Sequence, residues 1–277
     1  MEERSIERPS EFEAPILVEH AASGISSITF NRPQRLNALD WPAMERFAEA
    51  VAELGRRCAA TGSDPADGPR VVVLTGAGGR AFCSGGDQHA LHTRLGADEG
   101  LRLARVMGDA LLALERLPIP SVAAVDGFAL GGGSEIALAC DLRVVSEDVK
   151  FGLVHLKLGL VPGWGAGQRL LRLVGHARAA QMLLAARPYS AAELLQLGLV
   201  NHVTLPRRAY ATGLALAEDI AAADPSTVRA VKQLLLAGRD LPYAEALDFE
   251  RTLFPGLWAA EAHVRSVDRF MAGGKNA

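Results

Sequence analysis

The stretch VAAVDGFALGGGSEIALACD, residues 122–141, contains three adjacent glycines and, between its two aspartates, a single charged side chain, Glu135. A short β-type run, Ser121–Val125, precedes the glycines, and an apolar helix-forming run, Ile136–Cys140, follows Glu135. This order predicts a buried strand that leads through glycines into a largely buried helix. Glu135 then lies in the first turn of that helix.

A carboxyl group at this position is a candidate acid or base. The start of a helix has N–H groups without partners and the positive end of the helix dipole, so it can bind a developing oxyanion. Glycines allow another molecule to approach the backbone closely. In apolar surroundings a carboxyl group can hold a proton near neutral pH. The alternative is structural, because a Glu in the first turn also favours the dipole and glycines also permit tight packing.

A second glycine-containing corner, RVVVLTGAGGRAFCSGGD, spans residues 70–87. Its run Val71–Leu74 is typical of a buried parallel strand. The spacing Gly76-x-Gly78-x-x-Ala81 formally matches a dinucleotide-binding motif, but no helix opens directly from these glycines, which argues against that function. The loop near Ser84 and Gly85 is instead a candidate source of a second backbone N–H for an oxyanion.

Several motifs in one order resemble the enoyl-CoA hydratase/isomerase (crotonase) superfamily. They are Ile28–Pro33, Leu36–Leu39, Ala81–Asp87, Asp126–Glu135, Phe151–Gly152, Leu158–Gly163, Gly165–Gly175, Arg178–Ala179 and Ala191–Val200. The similarity covers roughly residues 15 to 272.

Strands that alternate with helices predict an α/β core with parallel pairing. The resemblance implies a crotonase-like spiral of ββα units and a C-terminal helical region used in trimerisation, often as a dimer of trimers. We therefore predict a mobile N-terminal extension over residues 1–14, the α/β core over 15–205 and the helical region over 206–277.

Prolines near helix starts place three helices in the C-terminal region. They are predicted at Pro206–Ala223, Pro225–Ala237 and Pro242–Met271, after a short strand near Leu199–Val203.

The resemblance also implies an acyl-CoA thioester whose carbonyl oxygen is bound between two backbone N–H groups. By motif position these belong to Ser84 and Gly132. Preorganised donors of this kind stabilise the charge of an enolate or a tetrahedral intermediate. The remaining substrate and CoA contacts are predicted at Arg32, Arg35, Ala81, Gly85, Asp87, Gly131 and Lys275. We expect no metal and no cofactor, since coenzyme A is part of the substrate.

One position departs from the two-glutamate pattern that hydratases of this family usually have. Glu135 matches the first glutamate, but the position of the second holds His155. A histidine can act as acid or base near neutral pH. We expect its ring to face Glu135 across the pocket, with space between them for a substrate carbon or one water. The alternative is a polar residue at a pocket rim or subunit contact. Gly163 stands where some isomerases have another acid, and it cannot serve as one.

Composition narrows the function classes. The net charge of −3 over 277 residues gives no basic field for nucleic acid. Cys58, Cys83 and Cys140 are odd in number and unpaired in spacing, which is typical of reduced thiols in a cytoplasmic protein. No apolar run is long enough to cross a membrane, and His89-x-x-His92 lacks further metal ligands nearby.

These observations favour a lyase or isomerase that acts on an acyl-CoA, of the enoyl-CoA hydratase/isomerase type, through an oxyanion-stabilised enolate. Hydrolysis or decarboxylation on the same fold is an alternative, although Ser134 is offset from where a nucleophilic serine would lie. A non-catalytic subunit that binds acyl thioesters is a further alternative.

Overall fold

Strands and helices alternate through the first two thirds of the chain. The computed structural model describes residues 14–60, 68–93 and 95–273. Its strands are β1 Ile16–His20, β2 Ile25–Phe30, β3 Val71–Gly76, β4 Ala81–Cys83, β5 Ser121–Val125, β6 Phe128–Leu130, β7 Leu142–Ser146, β8 Lys150–Gly152 and β9 His202–Thr204. Its α-helices are α1 Trp41–Ala60, α2 Gln88–Leu91, α3 Ala97–Glu115, α4 Gly132–Ala139, α5 Ala166–Ala185, α6 Ala191–Gln196, α7 Ala209–Ala221, α8 Pro225–Asp240, α9 Tyr243–Trp258 and α10 Glu261–Gly273.

Within the described residues, six strands form a large sheet in the order β1-β2-β3-β5-β7-β9. The β1–β2 pair is antiparallel and the other pairs are parallel. Successive side chains of a strand point to opposite faces of the sheet. Val72 and Leu74 accordingly pack in the main core, whereas Val71 and Val73 pack against α7. This burial on both faces explains the continuous β-branched run of β3.

A second sheet of three short strands, β4-β6-β8, lies beside the large one in the described part of the chain. Each of its strands follows a strand of the large sheet directly, and a helix comes next, as in β5–β6–α4. This is a succession of ββα units, so the predicted α/β fold class is confirmed. The small sheet brings the ends of β4, β6 and β8 together, and the candidate site forms there.

The C-terminal region differs in detail from the prediction. The helix predicted over Pro242–Met271 is two helices, α9 and α10, with a break at Ala259 and Ala260. Neither glycine nor proline occurs at the break, so it leaves no mark on the sequence. The helix predicted from Pro206 begins at Ala209, and the short strand is His202–Thr204 rather than Leu199–Val203.

The three-part division of the chain stays a prediction. Of the extension proposed for residues 1–14, residues 1–13 lie outside the described residues. Helix α7 follows the proposed boundary at residue 205 but packs on the large sheet through Ala209, Ala217 and Ala221. No helix in the described ranges is long and apolar enough to cross a membrane.

Candidate active site

Glu135 lies in the first turn of α4, and 1% of its surface is exposed. Strand β6 ends at Leu130 and α4 begins at Gly132, so the chain turns within one residue, Gly131. Gly131 has φ 51° and ψ −119°, a conformation that a side chain would disfavour. The prediction of a buried Glu135 at a helix start after a glycine corner is confirmed.

Backbone amides of a second helix fix one oxygen of the Glu135 carboxylate. The N–H groups of Trp164 and Ala166 donate to Oε2 at 2.8 and 3.0 Å. Ala166 is the first residue of α5 and Trp164 lies two residues before it, so both amides are at the end of the helix where the dipole favours a negative charge. Oε2 is therefore held, and Oε1 is the oxygen free to exchange a proton.

His155 contacts this second oxygen. It lies in a short 3-10 helix, His155–Leu158, that follows β8, and its Nε2 is 3.0 Å from Oε1 of Glu135. The expectation of a space for water or a substrate carbon between the two groups is wrong, because the ring reaches the carboxylate directly. Within the described residues, Nδ1 is buried and has no hydrogen-bond partner. The two side chains form a carboxylate–imidazole pair through which a proton can pass.

The predicted oxyanion donor Ser84 needs correction. Its N–H donates to the carbonyl of Leu36 at 3.1 Å and so cannot bind a substrate oxygen at the same time. On either side of Gly86 the loop is bonded to Leu39. The Gly85 carbonyl accepts a hydrogen bond from the Leu39 N–H, and the Asp87 N–H donates to the Leu39 carbonyl. In the described part of the chain, the N–H of Gly86 donates to no acceptor.

Gly132 stays a candidate donor. It is the first residue of α4, so its N–H is one of those that a helix leaves without a partner. The loop lies against it, since a Cβ added to Gly85 would be 3.0 Å from the nitrogen of Gly132. The structure therefore brings Gly86 and Gly132 to the same cavity, forty-six positions apart in sequence.

This cavity has a volume of about 270 Å³. Its polar end holds Glu135, His155, Ser84 and the glycines 85, 86, 131 and 132. Most of the remaining wall is apolar: Leu91, Leu103, Ala104, Val154, Leu158, Leu160, Val161 and Trp164. Concave apolar pockets with a few convergent polar groups are typical of small-molecule sites. Of the predicted substrate contacts, Gly85 and Gly131 line it.

Two predicted substrate contacts have structural roles instead. Ala81 is buried in β4, and its carbonyl accepts a hydrogen bond from Asn37 at 2.7 Å. Asp87 caps α2 through the N–H of Ala90 and forms an ion pair with Arg32. Neither lines the cavity, so both predictions are wrong for this pocket. The sequence pattern identified the loop correctly, but it did not separate the residues that build the loop from those that face the cavity.

The three predicted cations differ in their environment. Arg32 forms ion pairs with Asp40 at 2.8 Å and Asp87 at 3.3 Å and also donates to the Ala38 carbonyl. Its charge therefore holds the loop together, which argues against a contact with CoA. Arg35 is exposed and forms no ion pair with any described residue. Lys275 lies outside the described residues, so its predicted role stays untested.

Other nucleophiles near the cavity are unsuited to covalent catalysis. Ser134 is fully buried, and its hydroxyl donates to the Ala129 carbonyl at 2.6 Å and lies 3.1 Å from the Gly152 carbonyl. Burial raises the pKa of the Cys83 thiol to about 12, so the reactive thiolate is scarce near neutral pH. These environments argue against hydrolysis through a covalent intermediate.

Two residues of the site were not identified from the sequence. Trp164 and Ala166 contribute through their backbone N–H groups, so their side chains do not mark this function. Pro162, Gly163 and Gly165 indicated a turn before α5, which was the available sequence signal.

Comparisons with known proteins identify the family of the chain. The model of the enoyl-CoA hydratase/isomerase family matches residues 20–276. A short-chain-enoyl-CoA hydratase of Clostridium acetobutylicum is 33% identical over 247 residues, which are 89% of this chain and 91% of the relative. An ethylmalonyl-CoA decarboxylase of Danio rerio is 34% identical over 250 residues, 88% of this chain and 80% of the relative.

Solved structures give the same result. The crystal structure of an enoyl-CoA hydratase from Bacillus anthracis superposes with a TM-score of 0.85 at 29% sequence identity. The match covers 94% of this chain and 96% of the other. Sequence and fold together show that the chain belongs to the enoyl-CoA hydratase/isomerase family.

Proposed function

We propose that this protein is a lyase or isomerase that forms or protonates the enolate of an acyl-CoA thioester, with Glu135 as the acid and base. The observation that carries the proposal is the position of Glu135 beside an unpartnered helix N–H in one apolar cavity. With Oε2 fixed by backbone amides, Oε1 is the oxygen that would exchange a proton with the substrate, and His155 contacts this same oxygen. Enolate chemistry requires such a proton-transfer group next to a site for the oxyanion.

The thioester oxygen would be bound by the N–H groups of Gly86 and Gly132. Gly86 replaces Ser84 in this role, because the Ser84 N–H is already bonded to Leu36. Backbone donors are preorganised, and removal of one donor of this kind typically costs about 3–4 kcal/mol of transition-state stabilisation. The acyl group would then extend along the leucine-rich wall of the cavity.

Water addition to a 2-enoyl-CoA is the first candidate reaction, as in the Clostridium acetobutylicum relative. A water hydroxyl bonds to Cβ, the electron pair of the double bond moves to Cα, and a proton is delivered to Cα. Glu135 would supply that proton and regain one from the water, and His155 would orient the water. Substrate binding must then separate the Glu135–His155 pair enough to admit a water.

Decarboxylation of a malonyl-type CoA ester is the second candidate, and the 3.0 Å contact between Glu135 and His155 favours it. In this reaction the bond from Cα to the carboxylate breaks, CO₂ leaves, and the enolate takes a proton at Cα. No water has to fit between the two side chains. The Danio rerio relative is a decarboxylase of this substrate class.

A substrate panel separates these reactions. The protein is incubated with 2-enoyl-, 3-hydroxyacyl- and malonyl-type CoA esters, and the products are identified by mass spectrometry. A mass gain of one water supports hydration, and loss of CO₂ supports decarboxylation. Binding of the esters without any turnover would contradict the enzyme proposal and indicate a non-catalytic binding subunit.

We also propose an oligomeric state and a cellular location for the protein. Self-association as a trimer or a dimer of trimers is supported by exposed apolar side chains on the C-terminal helices, Phe254, Trp258 and Phe270 among them. A cytoplasmic location is supported by Cys58, Cys83 and Cys140, which are buried and form no disulfide among the described residues.

A further inference from the structure

The candidate cavity borders a larger one. The second cavity has a volume of about 590 Å³ and lies between α3, α4, α5 and α8. Among the described residues, Gly163 and Trp164 line both cavities. Gly163 has no side chain, so the indole of Trp164 is the side chain that separates the two spaces.

Trp164 is held on several sides. The indole packs on the backbone of Gly132, since a Cβ added there would lie 2.0 Å from a ring carbon. The Trp164 carbonyl accepts a hydrogen bond from Arg169 at 2.8 Å, and Arg169 is paired with Glu115 at 2.9 Å. Only 5% of Trp164 is exposed. The ring is therefore buried between the two cavities, packed on the backbone of Gly132.

The larger cavity could accept an acyl chain if this partition were absent. Leu112, Leu138 and Leu236 contribute apolar surface to part of its wall, and charged side chains, Arg169, Lys232 and Arg239 among them, line another part of it. With the partition in place, a substrate whose thioester lies beside Glu135 can extend its acyl group only into the smaller cavity. Its volume of about 270 Å³ is slightly below the ~300–1,000 Å³ that is typical of small-molecule pockets. A short acyl group fits such a space, and a long one would have to displace Trp164.

We propose that Trp164 determines acyl-chain length, and that its indole restricts the enzyme to short acyl groups. This inference rests on the proposed acyl-CoA function. It assigns to the Trp164 side chain a role separate from that of its backbone N–H, which holds Glu135. Because a smaller side chain keeps the N–H, chain-length selection can be changed without removal of that hydrogen bond.

Binding of unreactive saturated thioesters tests the inference. Affinities for butyryl-, octanoyl- and dodecanoyl-CoA are measured by isothermal titration calorimetry for the wild type and for Trp164→Leu. The wild type should bind octanoyl-CoA at least tenfold more weakly than butyryl-CoA. In Trp164→Leu, octanoyl-CoA should gain at least tenfold, since each buried methylene contributes about fourfold in affinity.

A matched control variant enlarges the second cavity and leaves Trp164 unchanged. Leu236→Ala should keep the wild-type order of affinities, since Leu236 lines only the larger cavity. Circular dichroism checks the folding of each variant. If Trp164→Leu does not fold, Trp164→Phe replaces it, with a smaller shift in the same direction expected.

The possible outcomes distinguish the chain-length role of Trp164 from the acyl-CoA function of the protein. If all the esters bind and the order of affinities is the same in the wild type and the Trp164 variant, the chain-length role is wrong and the acyl-CoA function stands. Equal affinity of the wild type for butyryl- and dodecanoyl-CoA would overturn it as well. If the wild type binds none of the esters, both the inference and the proposed function fail.

Discussion

The backbone amides that orient Glu135 stay in place when the residue is changed to glutamine. The N–H groups of Trp164 and Ala166 can donate to the side-chain oxygen of a glutamine as they do to Oε2. A glutamine keeps the shape and loses the acid and base function. Glu135→Gln thus separates proton transfer from binding better than a truncation would.

We expect Glu135→Gln to lower turnover by roughly 10²–10⁴-fold while substrate binding persists. Steady-state kinetics gives the turnover, and calorimetry with an unreactive thioester gives the affinity. Glu147→Gln, on the exposed surface, is the control and should match the wild type. Unchanged turnover in Glu135→Gln would refute the acid and base role.

The role of His155 depends on the reaction. His155→Ala removes the Nε2 contact with Oε1 of Glu135 and opens space beside it. If hydration is the reaction and His155 handles the water, the variant should lose water addition and keep exchange of the α-proton in deuterated buffer. Mass spectrometry of the thioester measures both rates. His202→Ala, exposed in β9, is the control.

If His155→Ala keeps both water addition and α-proton exchange, His155 takes no part in the reaction and Glu135 alone transfers the proton. Loss of both rates would instead indicate that proton transfer passes through the carboxylate–imidazole pair. The second result would agree with the direct 3.0 Å contact between the two side chains.

At the scale of elements, the site depends on the contact between the loop after β4 and the start of α4. Gly85 has φ +98°, and a Cβ there would lie 3.0 Å from both the Gly132 nitrogen and the Leu130 carbonyl oxygen. A methyl group at this position would occupy the space in front of the Gly132 N–H. An alanine at this position would also be strained, because L-residues with a side chain disfavour a positive φ.

We therefore expect Gly85→Ala to lower kcat/KM by at least tenfold, since a blocked oxyanion donor typically costs more than this. Gly175→Ala is the matched control, because Gly175 has φ +76° and no atom within 4 Å of an added Cβ. Thermal unfolding should show the strain of a left-handed alanine in both variants, with further destabilisation in Gly85→Ala from the close contacts with Gly132 and Leu130. Equal activities of the two variants would contradict the importance of this contact.

Strands β3 and β5 of the large sheet were predictable because their apolar runs are continuous. The strands of the small sheet were not, since each has three residues and its partners are far apart in sequence, as in Phe128 with Lys150. Short strands of this kind form because the ββα connections place them side by side. Local sequence carries little of that information.

The site shows the same division between local and tertiary information. The position of Glu135 followed from the local pattern of glycines and apolar residues. The assignment of Ser84 failed because the pairing with the Leu36–Leu39 turn decides which amide of the loop is free. The contacts from Trp164 and Ala166 depend on where α5 begins relative to α4, which a linear pattern does not give.

At the scale of the whole molecule, the C-terminal helices expose large apolar side chains. Helix α9 has no buried residue. Phe254 and Trp258 on this helix are 61% and 60% exposed, and Phe270 and Met271 on α10 are 80% and 64% exposed. Soluble monomers rarely expose large contiguous apolar patches, which mark interaction sites when they occur. A second copy of the chain is the occupant that the family resemblance implies.

We expect the protein to self-associate, with a mass in solution of three or six times 29.3 kDa. Sedimentation equilibrium measures this mass directly. A charge placed in the apolar patch should dissociate the assembly, because an unpaired charge is costly to bury. Phe254→Glu and Phe270→Glu are the test variants, and Leu205→Glu, exposed before α7, is the control. A monomeric wild type would refute self-association, whereas dissociation in the control alone would place the interface away from α9 and α10.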